Sequence, residues 1–364
     1  MNIYFDNAAT TSTLPFLTAE PIGNPSSPHK LGLKAERKLS DAREDIAKIL
    51  NCLPSEIIFT SGGTEANNIA TIGFALANRR KEVTFLAQEW EHPSIIEPLK
   101  FIQEQGLGNV IISPSKEWTN YNAPTLFAAI SHVNNETGDI YDVAAIAQEL
   151  KAKNPNTVVL VDGVQGFLKE PLNLTNIDMY SFSAHKCHGP TGVGGLMVKK
   201  NIRLTPLFHG GGQEYNKRSG TENVAGILHM TEIAKNIQPI NPAIKSTLAE
   251  LTTELPDVYI NSQTNHTSNY ILNMSFLGIK GEPLVHMLSE RGIYASMGAA
   301  CRSRKNTKTM LESMGFTQER ANSAVRLSFS HLNTLEEARQ AKEIIKDSVT
   351  QLRRMLGYGG KAWK

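Results

Sequence analysis

Ile57-Ile58-Phe59-Thr60-Ser61-Gly62-Gly63-Thr64-Glu65-Ala66 joins a short apolar run to a Gly-Gly turn and then to a helical stretch. A buried strand that turns through glycines into a helix start presents free backbone N–H groups and a positive dipole end, an arrangement suited to an anion such as phosphate. The same unit recurs along the chain. Val83 to Leu86, Val110 to Ile112, Leu126 to Val133, Val158 to Val161 and Leu196 to Val198 are further short apolar runs, most of them separated by helical patterns. Strands alternating with helices predict an α/β domain with a doubly wound, mostly parallel sheet. Ligands of such sheets collect at the carboxyl ends of the strands. Glu91-His92-Pro93, Asn134-Asn135-Glu136-Thr137-Gly138 and Asp162-Gly163-Val164-Gln165 each follow an apolar run, at the places where those ends are expected.

On either side of this core the pattern differs. Leu31, Ala35, Leu39, Ala42, Ile46 and Ile49 share one face of a helix that stops before Pro54. From about Ala243 helical segments and short runs such as Tyr270 to Met274 predict a smaller α+β domain. Its last helix is marked by a Thr334/Glu337 capping box, an Ala338, Ala341, Ile345, Val349, Leu352, Leu356 stripe and a terminal Gly357. A chain of 364 residues exceeds what one core ordinarily serves. The expected division is a large domain over 16–242 and a small one built from 1–15 and 243–364.

A net charge of +2 with 20% charged residues gives no reason to expect nucleic acid or a membrane surface as partner. No basic n-region and apolar h-region open the chain, and no apolar run is long enough to span a bilayer, so the expected compartment is the cytoplasm. Cys52, Cys187 and Cys301 are odd in number and far apart, which makes neither a disulfide framework nor a zinc spacing.

The chemistry centres on Ser183-Ala184-His185-Lys186, followed by the glycine-rich Cys187 to Gly195. A lysine so placed suits a Schiff base with a carbonyl, although a strand ending in a solvated lysine reads the same way in isolation. A pyridoxal phosphate site needs such a lysine, an acid for the pyridine nitrogen, a phosphate cradle and a group against the ring. Lys186 is the lysine; Asp162 pairs with the ring nitrogen; Gln165 reaches the ring hydroxyl. His92 stacks on the ring and moves protons, and Gly63, Thr64, Ser183 and His185 contact the phosphate. Each has an ordinary alternative, with His92 as a helix-entry residue, the Asn134-Asn135 pair as turn formers and Asp162 as a cap, but together these alternatives lose force.

The motifs are specific. Tyr4 to Thr11 (YFDNAATT), Gly23 to His29 (GNPSSPH), Thr60 to Asn68 (TSGGTEANN), His132 to Gly138 (HVNNETG), Val161 to Gln165 (VDGVQ) and Ser183 to Gly194 (SAHKCHGPTGVG) stand in order. So do His209 to Gly226, which holds HGGGQE and RSGTENVAG, and Gly298 to Cys301 (GAAC). With these the chain resembles the NifS/IscS-type cysteine desulfurases, class V aminotransferase-type enzymes of PLP fold type I. The resemblance implies pyridoxal 5′-phosphate as cofactor, L-cysteine as substrate, and a homodimer in which Thr221 reaches the partner's phosphate. It also implies Asn135 and Arg326 as substrate-binding residues and Cys301 as the mobile nucleophile that ends as a persulfide. Arg302, Arg304, Lys305 and Lys308 beside Cys301 favour a thiolate. A sulfur acceptor, either an iron–sulfur scaffold or a tRNA-thiolation enzyme, would receive the sulfur.

Three departures stand out. Ser330-His331 occupies the place where the family usually has glycine and arginine, the stretch after Cys301 is unusually basic, and Ala184 and Thr191 replace the usual glycine and lysine. Competing readings on the same scaffold are a selenocysteine lyase, a β-lyase or an aminotransferase in which Cys301 is idle. A further one is a non-catalytic scaffold protein.

Overall fold

The computed structural model describes residues 2–16, 23–114, 123–297 and 308–358. The chain divides into two compact units, one of residues 12–133 and 141–237, the other of residues 1–11, 134–140 and 238–364. The second is thus assembled from three stretches of chain, because residues 134–140 count with it. No helix among the described residues is long and apolar enough to cross a membrane.

The strands are β1 Ile3–Tyr4, β2 Ile57–Thr60, β3 Val83–Gln88, β4 Asn109–Ser113, β5 Thr125–Ser131, β6 Val158–Asp162, β7 Met179–Ser183, β8 Gly194–Val198, β9 Val258–Ile260, β10 Ile271–Phe276, β11 Ile293–Tyr294 and β12 Ala324–Ser328. In the larger unit β2 to β8 form one sheet in the order β2-β8-β7-β6-β5-β3-β4. Neighbours from β7 to β4 run parallel, and only β8 is antiparallel to its two partners. The apolar runs are continuous because both faces are covered. Val159 and Val161 of β6 lie on one face with Leu39 and Ile46 of helix α1 (Lys30–Ile49). Val158 and Leu160 lie on the other, with Phe74 of α2 (Gly63–Ala77) and Leu99 of α3 (Pro93–Glu104). A period of two in each strand therefore feeds two apolar layers.

The smaller unit holds the antiparallel sheet β12-β10-β9 and the parallel pair β1-β11. Its last helix, Leu335–Met355, opens with the expected capping box. Thr334 Oγ1 accepts from Glu337 N at 3.1 Å, and Glu337 Oε2 accepts from Thr334 N at 2.9 Å. Residues 134–140 are tied into this unit through Asp139, wholly buried, which accepts hydrogen bonds from Thr137 Oγ1, Ser262 Oγ, Gln263 N and Thr264 N.

One buried ion pair braces the larger unit. Arg43 of α1 donates to both oxygens of Glu214 at 2.7 and 2.8 Å and to Ile57 O at 2.7 Å, with its guanidinium 4.6 Å from the Phe59 ring centroid. Glu214, Tyr215 and Asn216 have successive left-handed φ values of 47°, 58° and 60°. For non-glycine residues such a run costs energy that the buried pair offsets. Glu214→Ala leaves Arg43 buried without its carboxylate and is expected to destabilise the fold by about 3–5 kcal/mol, as measured by urea unfolding.

Candidate active site

The antiparallel strand β8 brings the first parts of the site together. Gly194 is the register partner of Thr60 on one side and of Ser183 on the other. The end of β2, which leads into α2, is thus one strand away from the end of β7, which leads into Lys186. Gly62 has φ +152°, and a Cβ there would lie 3.6 Å from Ser183 Oγ. Gly63, the first residue of α2, has no room for a side chain, since a Cβ would fall 2.3 Å from Val164 Cγ2. The helix start therefore sits against the turn after β6, with its N–H groups and dipole directed to this edge. Ser183 Oγ is buried there without a partner.

At the end of β6, Asp162 is 6% exposed. Its Oδ1 accepts from Val164 N at 3.1 Å and its Oδ2 from Asn67 Nδ2 at 2.9 Å. Both donors are neutral, and among the described residues no lysine, arginine or histidine pairs with it. The turn that follows rests on two buried rings. A Cβ at Gly163 would strike Tyr180 Cζ at 1.9 Å, and one at Gly166 would strike His132 Nδ1 at 2.1 Å. His132 Nδ1 and Tyr180 OH lie 3.2 Å apart. Burial, opposed by a hydrogen bond to the Pro171 backbone, pushes His132 down to about 4. Burial and then the charge of Asp162 raise Tyr180 well above its ordinary range. Both rings are neutral near pH 7, so they prop the turn without competing for Asp162. Gln165, also buried, accepts from Lys169 Nζ at 3.1 Å.

His185 and Lys186 lie in the short 3-10 turn Ala184–Lys186, both half-buried. Burial first, then Lys186 and Lys169, push His185 down to about 4, so it offers a neutral ring N–H rather than a charge. Cys187 beside them is buried, and that burial pushes its thiol up to about 12. Burial likewise raises Cys52 to about 11. Neither is a thiolate near neutrality, and both behave as packing groups. Cys301 lies outside the described residues.

His92 caps α3. Its Nδ1 accepts from Ser94 N at 3.1 Å and lies 2.8 Å from Ser94 Oγ, which in turn accepts from Asn67 Nδ2 at 2.9 Å. His92 and Thr64 line one cleft with Asn68, Ser94 and Phe101. Thr221 is exposed, just after Gly220. Asn67, Ser94, His132, Tyr180 and Lys169 were not singled out by sequence reasoning. Asn67 and Ser94 sit in helices, Tyr180 in a strand and His132 and Lys169 in turns, all as ordinary-looking residues that the spacing of the motifs does not distinguish.

Glu91 is a further group whose environment the sequence does not reveal. It is buried, accepts from Ser131 N at 3.2 Å and shares a short hydrogen bond with Ser131 Oγ. Ser131 is the register partner of Asp162. Burial, opposed by the Ser131 bonds and reinforced by the charge of Asp162, raises Glu91 from 4.5 to about 8.

In the smaller unit Arg326 of β12 is gripped by its surroundings. Nη1 donates to Asn135 O at 2.9 Å and to Glu136 Oε1 at 3.2 Å, and Nη2 donates to Asp6 Oδ1 at 3.2 Å. Nε is buried without a partner. Asn135 Nδ2 donates to Glu136 Oε1 at 3.2 Å. The two sequence-predicted substrate residues are therefore neighbours, joined by Asp6 and Glu136, whose part in the cluster follows only from the fold.

A large sheet with a lysine turn, a buried carboxylate and a helix-start cradle at its carboxyl edge defines a class, and the family comparison agrees with it. The aminotransferase class-V family matches residues 3–340, and the chain belongs to that family. Among its relatives, the cysteine desulfurase IscS of Dictyoglomus turgidum is 32% identical over all of this chain and 98% of its own. A solved NifS-like protein superimposes with a TM-score of 0.84 at 31% identity, covering 98% of this chain and all of its own. A solved SspA in complex with cysteine gives 0.79 at 28%, covering 92% of this chain and all of its own.

Between about pH 4.5 and about pH 8 the folded chain holds a proton on Glu91 that the unfolded chain has lost. Stability therefore falls as pH rises across that window. Glu91→Gln removes this contribution, so its melting temperature is expected to gain on the wild type progressively from pH 5 to pH 8, as read by calorimetry.

Proposed function

We propose that the chain is a pyridoxal-phosphate-dependent cysteine desulfurase that converts L-cysteine to L-alanine and leaves the sulfur on Cys301 as a persulfide. The observation that carries this reading is Asp162, a buried carboxylate bonded only by neutral donors. Such a charge is costly in a protein interior unless a cation meets it. A protonated pyridine nitrogen is that cation. The unpartnered Ser183 Oγ beside the start of α2 fits a phosphate in the same way.

When bound, the cofactor supplies an electron sink for the substrate carbon that loses its proton. Lys186 Nζ would hold the cofactor at its carbonyl carbon, and its free amine would take the α-proton of cysteine. Asp162 would keep the ring nitrogen protonated, Gln165 would donate to the ring oxygen, and His92 would cover the ring and move protons from Nε2. Gly63, Thr64, Ser183 and His185 hold the phosphate, with Thr221 serving the partner's site in a homodimer. Arg326 binds the substrate carboxylate together with Asn135. Its Nε, buried without a partner, is the donor left to the substrate carboxylate. The Cys301 thiolate takes the substrate sulfur. The Cβ–S bond breaks, an S–S bond forms, and a proton delivered to Cβ completes the methyl group of alanine. The persulfide passes to an acceptor protein, an iron–sulfur scaffold or a tRNA-thiolation enzyme.

Incubation of the cofactor-loaded protein with L-cysteine is expected to yield alanine and a Cys301 persulfide detectable by mass. Cys301→Ser should lose the persulfide, and a keto acid in place of alanine would overturn the reading. Lys186→Ala should lose the visible absorbance of the lysine-bound cofactor. Arg326→Lys keeps the charge but loses the planar edge. It is expected to raise KM for cysteine roughly 10–100-fold, the equivalent of the ~1.5–3 kcal/mol of a charge-assisted hydrogen bond.

A further inference from the structure

Asp162 and His92 do not touch, yet a directional chain of hydrogen bonds joins them within the larger unit. Asn67 Nδ2 lies 2.9 Å from Asp162 Oδ2 and 2.9 Å from Ser94 Oγ, and Ser94 Oγ lies 2.8 Å from His92 Nδ1. An ionised carboxylate only accepts, so the Asn67 amide must turn its NH2 toward Asp162. The second hydrogen of that NH2 goes to Ser94 Oγ, which accepts it. The Ser94 hydroxyl proton is then directed to His92 Nδ1. Ser94 N donates to the same nitrogen at 3.1 Å. With two donors aimed at it, Nδ1 carries no proton, and the ring hydrogen is on Nε2. This orientation leaves Asn67 Oδ1 buried without a donor. The flipped amide would face one acceptor with another, and so the orphan is retained.

We propose that Asn67 is a positioning residue that transmits the charge of Asp162, through Ser94, to His92 Nδ1, where the Ser94 hydroxyl joins the Ser94 N–H as a second donor and reinforces the Nε2–H form. The importance of that tautomer for proton transfer rests on the proposed function; the tautomer itself does not, and it is readable in cofactor-free protein. His92 is exposed, and its Nδ1 is committed to the relay.

The discriminating variant is Asp162→Asn. Its side-chain oxygen stays on Val164 N, and its NH2 then faces Asn67. The Asn67 amide flips, and Oδ1, no longer an orphan, takes the Ser94 hydroxyl proton. Ser94 Oγ then no longer donates to His92 Nδ1, which keeps only the Ser94 N–H. Ring nitrogen-15 NMR of His92 in the cofactor-free protein is expected to show the Nε2–H tautomer in the wild type and a displaced Nδ1 resonance, reporting the lost hydroxyl donor, in Asp162→Asn. Ser94→Ala and Asn67→Ala each cut the relay, so Asp162→Asn added to either should produce no further shift. An unchanged His92 in Asp162→Asn, or a shift that persists in the Ser94→Ala background, overturns the proposal. Ser94→Ala removes one oxygen in the first turn of a helix and keeps the test usable if Asn67→Ala fails to fold. Formation of alanine and persulfide by the wild type tests the proposed function separately, because neither product depends on which tautomer the NMR reports.

Discussion

A carboxylate held at the end of a parallel strand by neutral donors alone is the constraint on which the larger unit turns. Asp162 is out of water, and its charge propagates to everything around it. It adds to the burial that raises Glu91 and Tyr180, and it fixes the Asn67 amide. Its own position is fixed in turn by the sheet. Ser131 and Ser181 flank it in register, and His132 N donates to its backbone oxygen at 2.9 Å. The surrounding acids and rings are arranged to stay uncharged near neutrality, so that Asp162 is the anion of its neighbourhood.

The smaller unit solves a related problem with the opposite charge. Arg326 is buried, and Asp6, Glu136 and the Asn135 carbonyl satisfy most of its donors. Removing one partner of such a group costs more than making the contact contributes, so the cluster is rigid by necessity. Residues 134–140 can deliver two of those partners because Asp139 anchors them with side-chain and backbone donors from 262–264. Among the described residues, only Nε of the guanidinium is left without a partner.

Much of the architecture was legible. The apolar runs became β2 to β6 and β8 with their ends near where the patterns stop, the mostly parallel sheet formed, and the capping box at Thr334 and Glu337 opened the last helix. Runs of this kind are local statements about burial, and burial on both faces is what the sheet provides. The motif order was also sufficient to identify the family that residues 3–340 match. The antiparallel setting of β8 was not legible, because a buried apolar strand reads the same in either direction. Nor was the transfer of residues 134–140 to the smaller unit, which depends on Asp139 meeting a loop more than a hundred residues away. Cys187 reads in sequence as a thiol beside a catalytic lysine; its burial makes it inert.

The sequence by itself determined the chemistry available to this protein. Lys186, Asp162, Gln165, His92 and the Gly62-Gly63 turn are residue types whose functional groups and spacing survive any reading of the fold, because covalent structure and local backbone preference set them. Tertiary structure alone decided which of those groups are charged, which way they point and what supports them. The protonated Glu91, the paired rings of His132 and Tyr180 beneath the Asp162 turn, and the Asn67–Ser94 relay to His92 all arise from desolvation and from hydrogen-bond direction. Both are properties of neighbours brought together in space, and neither is written in the order of residues along the chain.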